Sequence, residues 1–79
     1  MTLIYRLDAL GEYGQNALDV EIEIALFKPS YEWRSVRAND AGTKVIYTDT
    51  EGDEYTFWPK DWSMRCNRKE TLAALRAMK

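Results

Sequence analysis

The residues of this chain best suited to chemistry are carboxylates in two short stretches: Asp19, Glu21 and Glu23, and then Asp49, Glu51, Asp53 and Glu54 around a glycine. Carboxylates can serve as general acid and base, can hold a divalent cation, or in a row can imitate the charge of a nucleic-acid strand. Acid–base work needs a carboxyl perturbed by burial or by a partner, whereas carboxylates on a polar face stay solvated. The run Asp49-Thr50-Glu51-Gly52-Asp53-Glu54 differs from a calcium loop, because its glycine comes fourth rather than sixth and the run is too short. It reads as a hydrophilic hairpin turn. A row of acids aimed at a basic nucleic-acid channel is then the functional reading, and a solvated face is the plain one.

Other chemistry is sparse. With no histidine and a single cysteine, Cys66, the chain can build neither a zinc site nor a Cys/His nucleophile pair. Gly11, Gly14, Gly42 and Gly52 fall in separate turns, so no phosphate-cradling loop exists. Cys66 sits beside Arg65 near a helix start, where a thiolate is favoured, but it lacks a resolving thiol or a base and reads as unreactive. Neither catalysis nor a cofactor is expected. Trp33, Trp58, Trp62, Phe57 and five tyrosines, interleaved with Arg34, Arg37 and Lys44, would suit a base-stacking platform. Core use is the stronger reading, since a small sheet needs large aromatics to bury enough area.

The elements that must position these groups fit one domain of 79 residues with an α+β pattern. Thr2 is a candidate cap for a helix over residues 2–10, with Leu3, Ile4, Leu7 and Leu10 at helical spacing and Gly11 as a stop. Asn16 is a second candidate cap. From Leu18 to Leu26 apolar and other residues alternate strictly, which on periodicity alone argues for a half-buried strand. After Pro29, the segments around Tyr31–Arg37, Lys44–Thr48 and Tyr55–Trp58, separated by Asn39-Asp40-Ala41-Gly42 and Thr50-Glu51-Gly52-Asp53, predict a three-stranded antiparallel meander. Asn67-Arg68-Lys69-Glu70 predicts a capping box for a last helix over 68–78, with Leu72, Leu75 and Met78 facing the core. Arg76 and Lys79 suit that helix's C-terminal dipole, whereas Arg68 and Lys69 near its start do not.

Charge is uneven along the chain. Asp8, Glu12, Asp19, Glu21 and Glu23 face Arg6 alone in the first third, while Lys60, Arg65, Arg68, Lys69, Arg76 and Lys79 dominate the end. The longest apolar run, Ile24–Phe27, is far short of the roughly 20 residues that span a bilayer, so no membrane partner is expected. A lone cysteine and an N-terminus without secretory features point to a reducing, cytoplasmic setting. A core this small supplies roughly 3–5 kcal/mol of net stability, which leaves a homodimer open.

The segment Leu3-Ile4-Tyr5-Arg6-Leu7-Asp8-Ala9-Leu10, followed by Leu18-Asp19-Val20-Glu21-Ile22-Glu23-Ile24-Ala25-Leu26, resembles the opening of short phage and prophage proteins of alphaproteobacteria. These relatives are similar to phage ABA-sandwich proteins. The resemblance implies a helix over 17–27 rather than a strand, hence two N-terminal helices and one C-terminal helix packed with the sheet. It also implies a relation to anti-CRISPR proteins, including inhibitors of type I-C Cascade. On that footing the chain is expected to be a phage inhibitor acting in the host cytoplasm on a host CRISPR effector complex. Its partner-binding residues would be Asp19, Glu21, Glu23, Asp49, Glu51, Asp53 and Glu54. The departure Trp62-Ser63-Met64-Arg65-Cys66-Asn67 falls where relatives carry Tyr-Thr-x-Ser-x-Asp. The alternative is a phage accessory module of the same fold, structural or binding nucleic acid through Arg34, Arg37, Arg65, Arg68 and Lys69.

Overall fold

Thr2 caps the first helix as its residue type predicts: its backbone is extended and its Oγ1 accepts the Tyr5 N–H at 3.2 Å. Residues 2–78 are described by the computed structural model, so Lys79 and its expected place at the helix end lie outside it. The first helix, α1, spans Leu3–Asp8 and stops before Leu10, with Ala9 as its C-cap. No helix among the described residues is long and apolar enough to cross a membrane.

The second helix, α2, spans Asn16–Leu26, and the alternating stretch is therefore helical. Both sides of this helix are used. Leu18 and Ile22 join Leu7 and Leu75 in a buried cluster between the helices, with Leu3, Leu10, Leu26, Trp62 and Leu72 packed around it. Helical geometry turns Val20 to the opposite side, where α2 lies over the first two strands and Val20 is also buried. A helix sandwiched between helices and a sheet has no polar face of ordinary width, and this is why its pattern imitates a strand. Asn16 does not cap it. Gln15 holds that position without a side-chain bond, and Asn16 Nδ2 donates instead to the Thr43 carbonyl at 3.0 Å.

Three strands, β1 (Trp33–Ala38), β2 (Val45–Asp49) and β3 (Glu54–Phe57), form the expected antiparallel meander in the order β1-β2-β3. Asx side chains shape both turns. Asn39 Oδ1 accepts the Thr43 and Lys44 N–H groups, and Asp49 Oδ1 accepts those of Glu51 and Asp53. Gly52, with φ of +90°, supplies the left-handed residue that the second turn requires. The register places Trp33, Val45, Tyr47, Tyr55 and Phe57 on the face toward α2, and Ser35, Arg37, Ile46, Thr48, Glu54 and Thr56 on the other.

The last helix, α3 (Arg68–Arg76), follows a short 3₁₀ turn over Arg65–Asn67. The expected capping box is absent. Asn67 is already helical, its N–H bonds to the Met64 carbonyl, and its side chain donates to the Asp61 carbonyl at 2.9 Å. Leu75 is buried and Leu72 partly so, but Met78 lies beyond the helix end and is exposed. The fold is thus a compact α+β unit: a three-stranded antiparallel sheet with two helices before it and one after.

Candidate binding surface

The structure removes two of the expected contact residues from the surface. Asp19 and Glu23, one turn apart on α2, are each only 7% exposed. Asp19 Oδ1 accepts the Ser63 N–H at 2.6 Å. Glu23 Oε1 accepts the Lys60 N–H at 2.8 Å and the Trp62 indole N–H at 3.0 Å, while its Oε2 accepts the Tyr47 hydroxyl at 2.6 Å. An irregular segment between β3 and α3 has N–H groups that no ladder satisfies, and these two carboxylates satisfy them. These bonds hold the fold together and leave both acids almost fully buried. The Tyr47 phenol is pushed well above its ordinary range, first by burial and then by the bond to Glu23, so it stays a donor.

Two further acids are exposed but already paired. Glu21 forms a two-point ion pair with Arg6, with contacts of 2.8 and 2.6 Å, which lowers the carboxyl pKa and raises that of the guanidinium. Glu54 pairs with Arg37 at 2.6 Å on the outer face of the sheet, with the same pair of shifts.

That leaves the β2–β3 turn. The carboxylate oxygens of Asp49, Glu51 and Asp53 lie within 4.8 Å of one another, and no cation pairs with them among the described residues. The Tyr55 phenol donates to Asp49 Oδ2 at 3.3 Å, and its pKa is raised by the neighbouring negative charge, chiefly that of Asp49. Three ligand oxygens at this spacing could bridge a cation, but a tight acidic turn generates the same cluster by itself.

Beside this turn begins a cluster of aromatic side chains of the kind expected in the core. Trp33, Tyr47, Tyr55 and Phe57 pack ring against ring, tilted for Trp33–Tyr47 with centroids 5.2 Å apart and edge to face for Trp33–Tyr55 at 5.5 Å. Because α2 lies mainly over β1 and β2, Tyr55, Phe57 and Trp58 remain 44%, 45% and 67% exposed. The exposed half of this aromatic face borders a cleft of about 400 Å³ with Glu23 among its lining residues. One signal was available in the sequence: Phe57-Trp58-Pro59 ends the last strand of a meander, where no fourth strand follows to cover it.

The basic residues of the alternative reading are largely committed elsewhere. Arg68 donates to the carbonyls of Leu10, Gly11 and Ser63, and so locks the end of α1 to α3. Arg34 donates to the Thr50 carbonyl, Arg37 pairs with Glu54, and Arg65 approaches Glu12 at 3.4 Å. Of that set only Lys69 has no such contact among the described residues. No family model matches this chain, nor does any curated protein or solved structure.

Proposed function

We propose that this chain is a non-enzymatic binding protein that engages a basic partner through the end of its sheet, and that the partner is a host CRISPR effector complex. The observation that carries the reading is the β2–β3 turn, where Asp49, Glu51 and Asp53 concentrate negative charge without compensating cations among the described residues. Such a projection complements a channel built to hold phosphates, and long-range attraction would speed its association. The exposed ring of Tyr55, bonded to Asp49, and those of Phe57 and Trp58 further along the hairpin supply apolar area, which a charged tip alone lacks. The choice of a CRISPR complex rests on the resemblance of the two N-terminal segments to phage proteins, and not on the fold.

A gel shift tests this reading directly. Purified type I-C Cascade is mixed with its target DNA and increasing amounts of the chain, alongside the charge-reversed variant Glu51→Lys/Asp53→Lys. The wild-type chain is expected to block DNA binding and the variant to lose that effect. Undiminished inhibition by the variant sinks the role of the turn, and inactivity of the wild-type chain sinks the choice of partner.

A further inference from the structure

The Glu23 carboxylate is buried without a cation. Its bonds come from three neutral donors, the Tyr47 hydroxyl, the Lys60 backbone and the Trp62 indole, and no lysine or arginine pairs with it among the described residues. A carboxylate offers about four acceptor positions, and here Oε1 uses two while Oε2 uses one. Oε2 therefore keeps a lone pair. The cleft of about 400 Å³ beside it is walled by Trp33, Tyr47, Phe57 and Trp58, with Lys60 also lining it.

Each chemical class of occupant meets this cleft differently. An anion would face the Glu23 charge, and a neutral apolar group would leave that charge uncompensated. A cation gains on both counts, because aromatic faces carry negative electrostatic potential. The chain already uses this chemistry internally. The Lys44 ammonium lies 4.5 Å from the Trp58 ring centroid, and the Lys60 ammonium lies 5.6 Å from that of Trp62.

We propose that the aromatic cleft beside Glu23 binds an alkylammonium group, that of a lysine side chain on the partner protein. The methylene stem packs on Phe57 and Trp58 while the charged end is drawn toward the ring faces and Glu23. This inference extends the proposed surface for a basic partner from the turn along the β2–β3 hairpin and rests on that reading. Its test, however, uses no partner.

The experiment is a ¹⁵N NMR titration of the full chain with three probes: Nα-acetyl-lysine-N-methylamide, its neutral norleucine counterpart, and n-butylammonium. The lysine probe is expected to shift the Trp62 indole N–H and the Lys60 backbone N–H saturably, since both bond to Glu23, while the norleucine probe leaves them in place. Trp58→Ala, at an exposed position, is expected to weaken the lysine probe about fivefold. Glu51→Lys/Asp53→Lys, which alters only the turn, should leave its affinity within about twofold. An equal response to norleucine overturns the proposal by showing a merely apolar groove. Shifts that vanish with the turn charges overturn it too, while leaving the proposed acidic contact standing. Tighter binding of n-butylammonium than of the lysine probe overturns the assignment to a protein side chain.

Discussion

The Glu23 carboxylate accepts a hydrogen bond of 2.6 Å from the Tyr47 hydroxyl, and this bond joins the central helix to the middle strand of the sheet. The same carboxylate also anchors Lys60 and Trp62, and Asp19 anchors Ser63 one turn earlier. A helix face that resembles a docking surface in the sequence is therefore an internal seam between α2 and the segment leading into α3. Its charge serves folding.

Truncating the seam should be costly. Leaving a buried donor without its acceptor costs about 1–3 kcal/mol, so Asp19→Ala is expected to lower the unfolding free energy by about that amount. Glu23→Ala strands several donors at once and should cost about 3–5 kcal/mol, enough to unfold a domain of this size. Urea denaturation followed by circular dichroism measures both. Unchanged midpoints would show that the seam contributes nothing. It follows that charge reversal at Asp19 or Glu23 cannot test binding, because it tests folding first.

The turn carboxylates should behave in the opposite way. Glu51 and Asp53 are exposed, and their side chains accept no hydrogen bond among those described, so Glu51→Lys/Asp53→Lys is expected to hold or raise the melting temperature by relieving like-charge repulsion. Asp49→Ala, by contrast, removes the acceptor for two turn N–H groups and should lower it. Differential scanning calorimetry separates the two outcomes, and a matching loss in both variants would contradict this division of roles.

Alkaline pH should act through Tyr47. Its folded pKa is raised above the ordinary value of 10.0, so the stability it contributes is fully present below that value and is lost as pH climbs toward the folded pKa. Tyr47→Phe should consequently show a shallower fall in stability above pH 10 and lack the latest step in tyrosinate absorbance. An identical alkaline profile in the variant would argue against a partly buried, Glu23-bound phenol.

On the acid side, the lowered carboxyl pKa values of Glu21 and Glu54 give the reverse sign. Their ion pairs contribute above the ordinary carboxyl pKa of about 4.3, and that contribution is lost as pH falls through the lower folded values. Both pairs are exposed, so this acid dependence should flatten in about 1 M salt. Acid titrations of the wild-type chain and of Glu21→Gln at two salt concentrations check it, and a dependence insensitive to salt would assign the effect to buried groups.

Gly14 offers a steric test of the same seam. A Cβ at this position would lie 3.1 Å from both the Met64 backbone nitrogen and Ser63 Oγ, and that hydroxyl accepts the Gln15 N–H at 2.7 Å. Gly14→Ala is expected to cost about 1–3 kcal/mol through this crowding. Thermal melting would reveal it, and a neutral result would mean that the loop yields freely.

The meander and the last helix were legible because their local signals agree. β-branched and aromatic runs flank Asx- and Gly-containing turns, and Leu72 and Leu75 fall at helical spacing. The stretch from Leu18 to Leu26 was not legible from periodicity, because both sides of α2 are covered and alternation then ceases to mean a strand. Pattern alone does not lead to the helix. The roles of Asp19 and Glu23 were hidden for a related reason. A carboxylate between apolar neighbours reads as solvated unless the segment needing its acceptors is known, and that segment, Lys60–Ser63, lies some forty residues further along. The aromatics depart from a core role by degree: Trp33 and Tyr47 are partly covered, while Tyr55, Phe57 and Trp58 are left open by the reach of one helix.

The shared position of α2 also governs how this molecule comes apart. Leu18 and Ile22 complete the interior of the helical cluster, while Val20 and Glu23 complete that of the sheet. Neither half retains a closed interior if α2 leaves, so partial opening gains nothing that complete opening does not. The amide protons of α2 and β2 should therefore exchange with solvent through a single common event, and the domain should have no stable half-folded form for a protease to recognise.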